Sequence, residues 1–203
     1  MKMAVYTLLA IACVLPTLVL GYSAGAGKSA CINLTPNHDN TTAQNSTAPY
    51  TLTVNTTSII EGGVVTVTLE TTAAGGYFEG FLVQARCTKC TTADTAIVPG
   101  TFAKYNASDD TIKTMDCENV AKNAITHTSE AKQNNTMFTW TAPTDYDVKQ
   151  GIQFRAVIVK SKLTWWNTVM SAEISVSKPT GSSSQSVLGM GVFIVSITAS
   201  LLL

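Results

Sequence analysis

Gly151–Lys160 reads GIQFRAVIVK, and its alternation decides the fold class. Ile152, Phe154, Ala156 and Ile158 fall on one side of an extended chain, with Arg155, Val157 and Val159 on the other. A helix would scatter those positions around its axis; a strand, with its two-residue period, collects them into two faces. The same period recurs upstream. In Gly80–Arg86, Phe81, Val83 and Ala85 alternate with Leu82, Gln84 and Arg86. Val64–Glu70 (VVTVTLE) sets Val65, Val67 and Leu69 against threonines, and Tyr50, Leu52 and Val54 do the same up to Asn55. In Thr136–Thr141, Phe138 and Trp140 oppose Met137, Thr139 and Thr141. Threonine outward and aliphatic inward is the pattern of a half-buried strand.

Working outward, Asn123–Thr128 alternates again, and Val169–Val176 is expected to close the domain as a strand. Glu61-Gly62-Gly63, Gly75-Gly76 and Ala142-Pro143 punctuate these runs. Residues 22–48 lack periodicity and read as an irregular segment held by Cys31. Residues 91–122 are the least regular part and read as a long loop region, with one short strand near Gly100–Lys104. Seven or more short strands without an apolar helical block describe an all-β chain, a β-sandwich.

The two ends differ from the rest. Residues 1–21 (MKMAVYTLLAIACVLPTLVLG) carry Lys2 ahead of an apolar run broken by Pro16, and read as a signal peptide. Cleavage is expected after Gly21, with Ala24 and Ala26 as rivals. Residues 187–203 (VLGMGVFIVSITASLLL) are uncharged and follow the Ser-rich stretch 177–186. Small residues ahead of an apolar tail match a glycolipid-anchor signal, with Gly181 or Ser182 as the attachment residue. The polar spacer is shorter than usual, and the alternative is a membrane span with no basic residue after it. The folded domain is therefore expected over 22–176, displayed on the outer face of the plasma membrane.

Composition agrees with that setting. Lys plus Arg and Asp plus Glu both count 13, giving zero formal charge, and charged residues are 13% of the chain. Roughly 25% is usual, and the difference is made up by 31 threonines and 16 serines. Such a chain has no electrostatic footprint for nucleic acid. Six N-x-S/T sequons, at Asn33, Asn40, Asn45, Asn55, Asn106 and Asn134, are expected to be glycan acceptors. Cys13 leaves with the signal peptide. Cys31, Cys87, Cys90 and Cys117 allow three pairings, of which Cys31–Cys117 with Cys87–Cys90 is expected. As a redox dithiol, Cys87-Thr88-Lys89-Cys90 would need a helix after its strand, and none is legible, so a structural clip is expected.

No motif for nucleophilic, phosphoryl-transfer, metalloprotease or dinucleotide chemistry is present. His38 and His127 could join the two thiolates around zinc, which an oxidising compartment disfavours; His127 has no Ser or Cys partner at a triad spacing and reads as a structural histidine. Asp109, Asp110, Asp116 and Glu118 form an acidic loop whose spacing fits no dedicated calcium site. No cofactor or metal is expected. Arg86 and Arg155 are the chain's two arginines, each on a strand face where a cation needs partners. A buried salt bridge is one reading and a contact surface for an anionic ligand the other. Trp165 and Trp166 point to opposite faces of an extended backbone, so Trp166 is a candidate exposed contact.

Ordered pieces along residues 22–172 carry a resemblance. They include Gly21–Ala26, Cys31, Pro36–His38, Pro49-Tyr50, Glu61–Leu69 (EGGVVTVTL) and, most sharply, Phe78–Arg86 (FEGFLVQAR). Gly100-Thr101-Phe102, Cys117, Ala124–Thr128 (AITHT), Phe138–Pro143 (FTWTAP), Phe154–Val159 (FRAVIV) and Trp165-Trp166 continue it. In these the chain resembles the reeler domain, above all the single-domain secreted defence proteins of invertebrates. The resemblance implies an immunoglobulin-like β-sandwich with Cys31–Cys117 as the shared bridge. It also implies innate-immune recognition of microbial surface polymers. The same domain occurs in matrix and guidance proteins, so adhesion to host extracellular proteins is the alternative. It occurs too before the haem modules of ferric-chelate reductase relatives, for which this chain has no expected room, so no enzymatic activity is expected. Cys87–Cys90 and the Gly25–Lys28 stretch depart from the usual pattern.

Overall fold

The computed structural model describes residues 23–38, 41–90, 97–147 and 149–179. The signal-peptide reading of 1–21, the tail reading of 187–203, Gly181, Ser182 and Asn40 lie outside them.

Eleven strands are present among the described residues: β1 (Tyr50–Val54), β2 (Ser58–Ile60), β3 (Val64–Thr71), β4 (Gly80–Cys87), β5 (Thr101–Lys104), β6 (Ile112–Cys117), β7 (Val120–His127), β8 (Asn135–Thr141), β9 (Ile152–Ser161), β10 (Thr164–Met170) and β11 (Ser175–Ser177). One sheet runs in the order β1-β3-β8-β5 and a second in the order β10-β9-β4-β7-β6, both antiparallel throughout. β11 adds a short parallel pair with β2. The two large sheets face each other as an immunoglobulin-like β-sandwich.

The inward residues are those that the alternation picked out. Val65, Val67 and Leu69 of β3, Phe138 and Trp140 of β8, and Phe154, Ala156 and Ile158 of β9 are all buried in one cluster. Edge-to-face contacts knit the two sheets, as between Trp140 and Phe154, centroids 5.5 Å apart, and between Phe102 and Phe154 at 5.9 Å. β4 is buried at every position, because both its faces are covered. Its inner face meets this core; its outer face meets a second cluster made with the irregular N-terminal segment.

Two expectations need correction. Residues 91–122 are not a single long loop with one strand. β5 lies where the short strand was expected, but β6 and the start of β7 form a hairpin after it. Its turn residues Glu118 and Asn119 have φ of 51° and 62°, the left-handed pair that a two-residue hairpin turn requires. The expected strand Val169–Val176 is divided. β10 ends at Met170, Ser171 turns back onto Phe154, and β11 leaves the sheet to pair with β2.

Two disulfides tie the fold. Cys31 is bonded to Cys117 across 86 residues, fixing the N-terminal segment to the end of β6, and Cys87 is bonded to Cys90 at the end of β4.

Candidate binding surface

Arg86 lies on the outer face of β4, and the N-terminal segment closes over it. The side chain is 1% exposed. Its Nη2 donates to the carbonyls of Cys31 at 2.6 Å and Ile32 at 3.0 Å, and its Nε donates to Gln84 Oε1 at 3.1 Å. Backbone carbonyls and an amide oxygen are thus among the partners of this buried cation. Burial, with Arg155 nearby, pushes the guanidinium down to about 10, so it remains charged at neutral pH. Arg155 is half-buried on the same face of β9, in register with Gln84. The structure thus brings the two arginines together, but beneath a cover at Arg86.

The tryptophan pair does point to opposite faces, and both faces are covered. Trp166 is 6% exposed, packs in the main core against Tyr50 with centroids 5.5 Å apart, and donates to Ser46 Oγ at 3.3 Å. Trp165 enters the outer cluster and donates to Thr41 Oγ1 at 3.0 Å, while its carbonyl accepts from Gln44 N. Burial removes Arg86 and Trp166 from any ligand-contacting surface. The signal missed was the N-terminal segment itself: Ala30, Cys31 and Leu34 are spaced too irregularly to announce that they cap a sheet.

That segment is fastened along its length. Lys113 Nζ donates to the Ala24 carbonyl, Ala26 N donates to Thr126 Oγ1 at 3.0 Å, and the Cys31–Cys117 bond follows. Gly25, at φ 116°, sits where a Cβ would lie 2.8 Å from the His127 carbonyl. Glycine at this position therefore has a steric basis. His127 is buried too. Its Nδ1 accepts from Phe81 N at 3.1 Å, and its ring fills the space over Gly80.

The acidic loop spends its carboxylates locally. Asp109 Oδ1 accepts from the Thr111 amide and hydroxyl, and Asp116 Oδ1 from Lys122 N. At the Cys87–Cys90 clip, Lys89 pairs with Glu173 at 3.1 Å, and its hydrogen bond holds the Glu173 carboxyl below its ordinary value. Asn33, Asn45, Asn55, Asn106 and Asn134 are all exposed. In Asn33 and Asn106 the side-chain oxygen accepts from the amide two residues on, an Asx turn.

One aromatic and cationic cluster lies at the pole where β3 ends. Tyr77 follows the Gly75-Gly76 turn, and its carbonyl accepts from Tyr50 OH at 2.9 Å. Lys132 Nζ lies 4.2 Å from the Tyr77 ring centroid and Lys160 Nζ 5.6 Å from it. Leu163, 67% exposed, tips the β9–β10 hairpin beside them. Nothing in the sequence links Tyr77 and Lys132, which come from two separate connections, with Lys160, which lies near the end of β9. Along one sandwich edge, β1 and β10 also leave a shallow open groove, lined by Asn45, Ser46, Thr51, Thr53, Val169 and Met170 among others.

The architecture defines a disulfide-tied sandwich of the reeler class, whose outer sheet face is capped by its own N-terminal segment. The chain belongs to the reeler family: the reeler domain model matches residues 29–182. It is 36% identical over 157 residues to a Danio rerio protein named as a ferric-chelate reductase, covering 77% of this chain but 26% of that one. It is 30% identical over 159 residues to an Antheraea mylitta protein named for a defence role, covering 78% of this chain and 89% of that one. The human F-spondin reeler domain has the same fold, with a TM-score of 0.51 at 20% identity, over 68% of this chain and 96% of that one.

Proposed function

We propose that this protein is a non-enzymatic extracellular recognition module that captures microbial surface polymers while tethered to the cell by its C-terminal tail. The observation that carries the reading is the length match. The chain accounts for nearly all of the defence-named relative but only about a quarter of the reductase-named one. The chain matches only 26% of the latter, so that protein's name gives no support for the same activity here.

The Tyr77 pole supplies the contact. Two ammonium groups around one aromatic ring suit a sugar that bears phosphate or carboxylate, because the ring packs on the sugar and the cations meet the charge. The test is binding of the purified, glycosylated protein to bacterial and fungal surface polymers, with a heat-unfolded control. Saturable binding at micromolar Kd or tighter supports the reading. Silence across the panel overturns it and moves the partner to a host extracellular protein.

A further inference from the structure

The sandwich has two poles, and the strand that leads to the tail leaves from one of them. β11 ends at Ser177, whose carbonyl accepts from Glu61 N at 2.9 Å, so the chain departs beside the Glu61-Gly62-Gly63 turn. At that turn Ile60 and Val64 are 53% and 55% exposed, two large apolar side chains separated by a tight bend closed by Gly63 N on Ile60 O. β3 runs from Val64 at this pole to Thr71 at the other, where Asn134 bonds Thr71 and Tyr77 bonds Tyr50. Eight residues of strand put the Tyr77 cluster about 24 Å away from the tail exit.

We infer that the Ile60–Val64 pole rests against the outer leaflet, with Ile60 and Val64 contacting the headgroup boundary of the lipid. The inference rests on the tethered reading of the tail. From Ser177 to Gly181 is four residues, a reach of at most about 14 Å even when fully extended. The peptide between the domain and the anchor therefore adds little reach, and the exit pole is the end of the domain nearest the bilayer. Charges at this turn include Glu61, Lys178 directly after β11, and Asp145 next to Thr144, which packs on Gly62; they are of both signs, which suits a zwitterionic surface better than a strongly anionic one. The consequence for function is orientation: Tyr77, Lys132, Lys160 and Leu163 face away from the cell.

Full-length protein carrying Ile60→Cys, labelled with an environment-sensitive fluorophore, would be reconstituted in phosphatidylcholine vesicles containing a shallow spin-labelled lipid. Lys132→Cys serves as the distal comparison. The expected result is a blue shift and several-fold stronger quenching at 60 than at 132, both lost when a phosphatidylinositol-specific phospholipase releases the protein. Equal emission and quenching at the two positions overturns the inference. Should the phospholipase leave the protein bound while position 60 remains quenched, apposition stands and the lipid-anchor reading falls.

Discussion

Arg86 Nη2 donates at 2.6 Å to the backbone carbonyl of Cys31, the residue whose side chain forms the disulfide to Cys117. The buried cation and the covalent bridge therefore act on the same residue, one from β4 and one from β6. Removing the guanidinium leaves the Cys31 and Ile32 carbonyls and Gln84 Oε1 without that donor in a covered space. Arg86→Ala should lower stability by about 3 kcal/mol, the usual cost of breaking a buried charged network from one side. Arg86→Lys should recover little, since one ammonium cannot span the forked set of acceptors. Denaturant unfolding measures this; a loss under 1 kcal/mol, on the order of an exposed hydrogen bond, would contradict the burial.

The two disulfides should differ in worth by their loops. Chain-entropy reasoning gives about 4–5 kcal/mol for Cys31–Cys117, which spans 86 residues, and about 2 kcal/mol for Cys87–Cys90, which spans 3. Paired Cys→Ser variants compared by urea midpoint should rank in that order. Loss of the first should also raise protease cleavage within residues 23–38, because the N-terminal cover loses its covalent hold.

Gly100 stands where a Cβ would lie 2.2 Å from Cε2 and Cζ2 of Trp140. That indole is fully buried and fixed against Phe154, so it has nowhere to move. Gly100→Ala should destabilise by about 2–3 kcal/mol through overpacking. A neutral result in thermal unfolding would mean that the β5–β8 contact is looser than the structure shows.

These positions also show what the sequence could and could not disclose. β3 and β8 were legible because each buries one clean face, and β9 because its inward face is apolar from Ile152 to Ile158, so a two-residue period survives in the residues themselves. β6 was not, since of Ile112–Cys117 only the terminal Ile112 and Cys117 are buried and Met115 is the one apolar residue between them. A hairpin turn made of Glu118-Asn119 without glycine removed the remaining cue. The fates of Arg86 and Trp166 depend on a cover built from scattered residues, Ala30, Leu34, Thr41 and Ser46, joined by tertiary contacts with no periodicity to read. The strand face was readable; its occlusion was not.

Alkaline pH offers a separate check on the core. Tyr50 and Tyr146 are both pushed up to about 12, chiefly by burial, with Tyr77 adding to the first and Asp147 and Glu173 to the second. Unfolded, each phenol titrates near 10 (about 10 in model peptides). Above that value the folded chain keeps protons that the unfolded chain has lost. The tyrosine contribution is thus complete below pH about 10 and drains as pH rises toward 12. Arg86 works in the opposite direction across the same window. Tyr50→Phe isolates one phenol: its deficit against the parent chain should be constant below pH about 10 and shrink above it. A deficit that does not change with pH would place the Tyr50 hydroxyl in water.

The binding surface makes the last demand. With Arg86 and Trp166 covered, charge reversal at Lys132 and Lys160 is the change that should most weaken capture of an anionic polymer. Both ammonium groups lie around the Tyr77 ring, and each exposed charge contributes through screened attraction. Lys132→Glu with Lys160→Glu should weaken binding about tenfold or more and flatten its salt dependence, on the scale of two lost cation contacts. Thermal stability should hold, because neither lysine supports the core. Tyr77→Ala should weaken binding at every salt concentration, since its contribution is stacking rather than charge. If the double reversal leaves polymer binding unchanged while the β1–β10 groove variant Met170→Asp removes it, the contact lies along the sandwich edge and the Tyr77 pole is not the site.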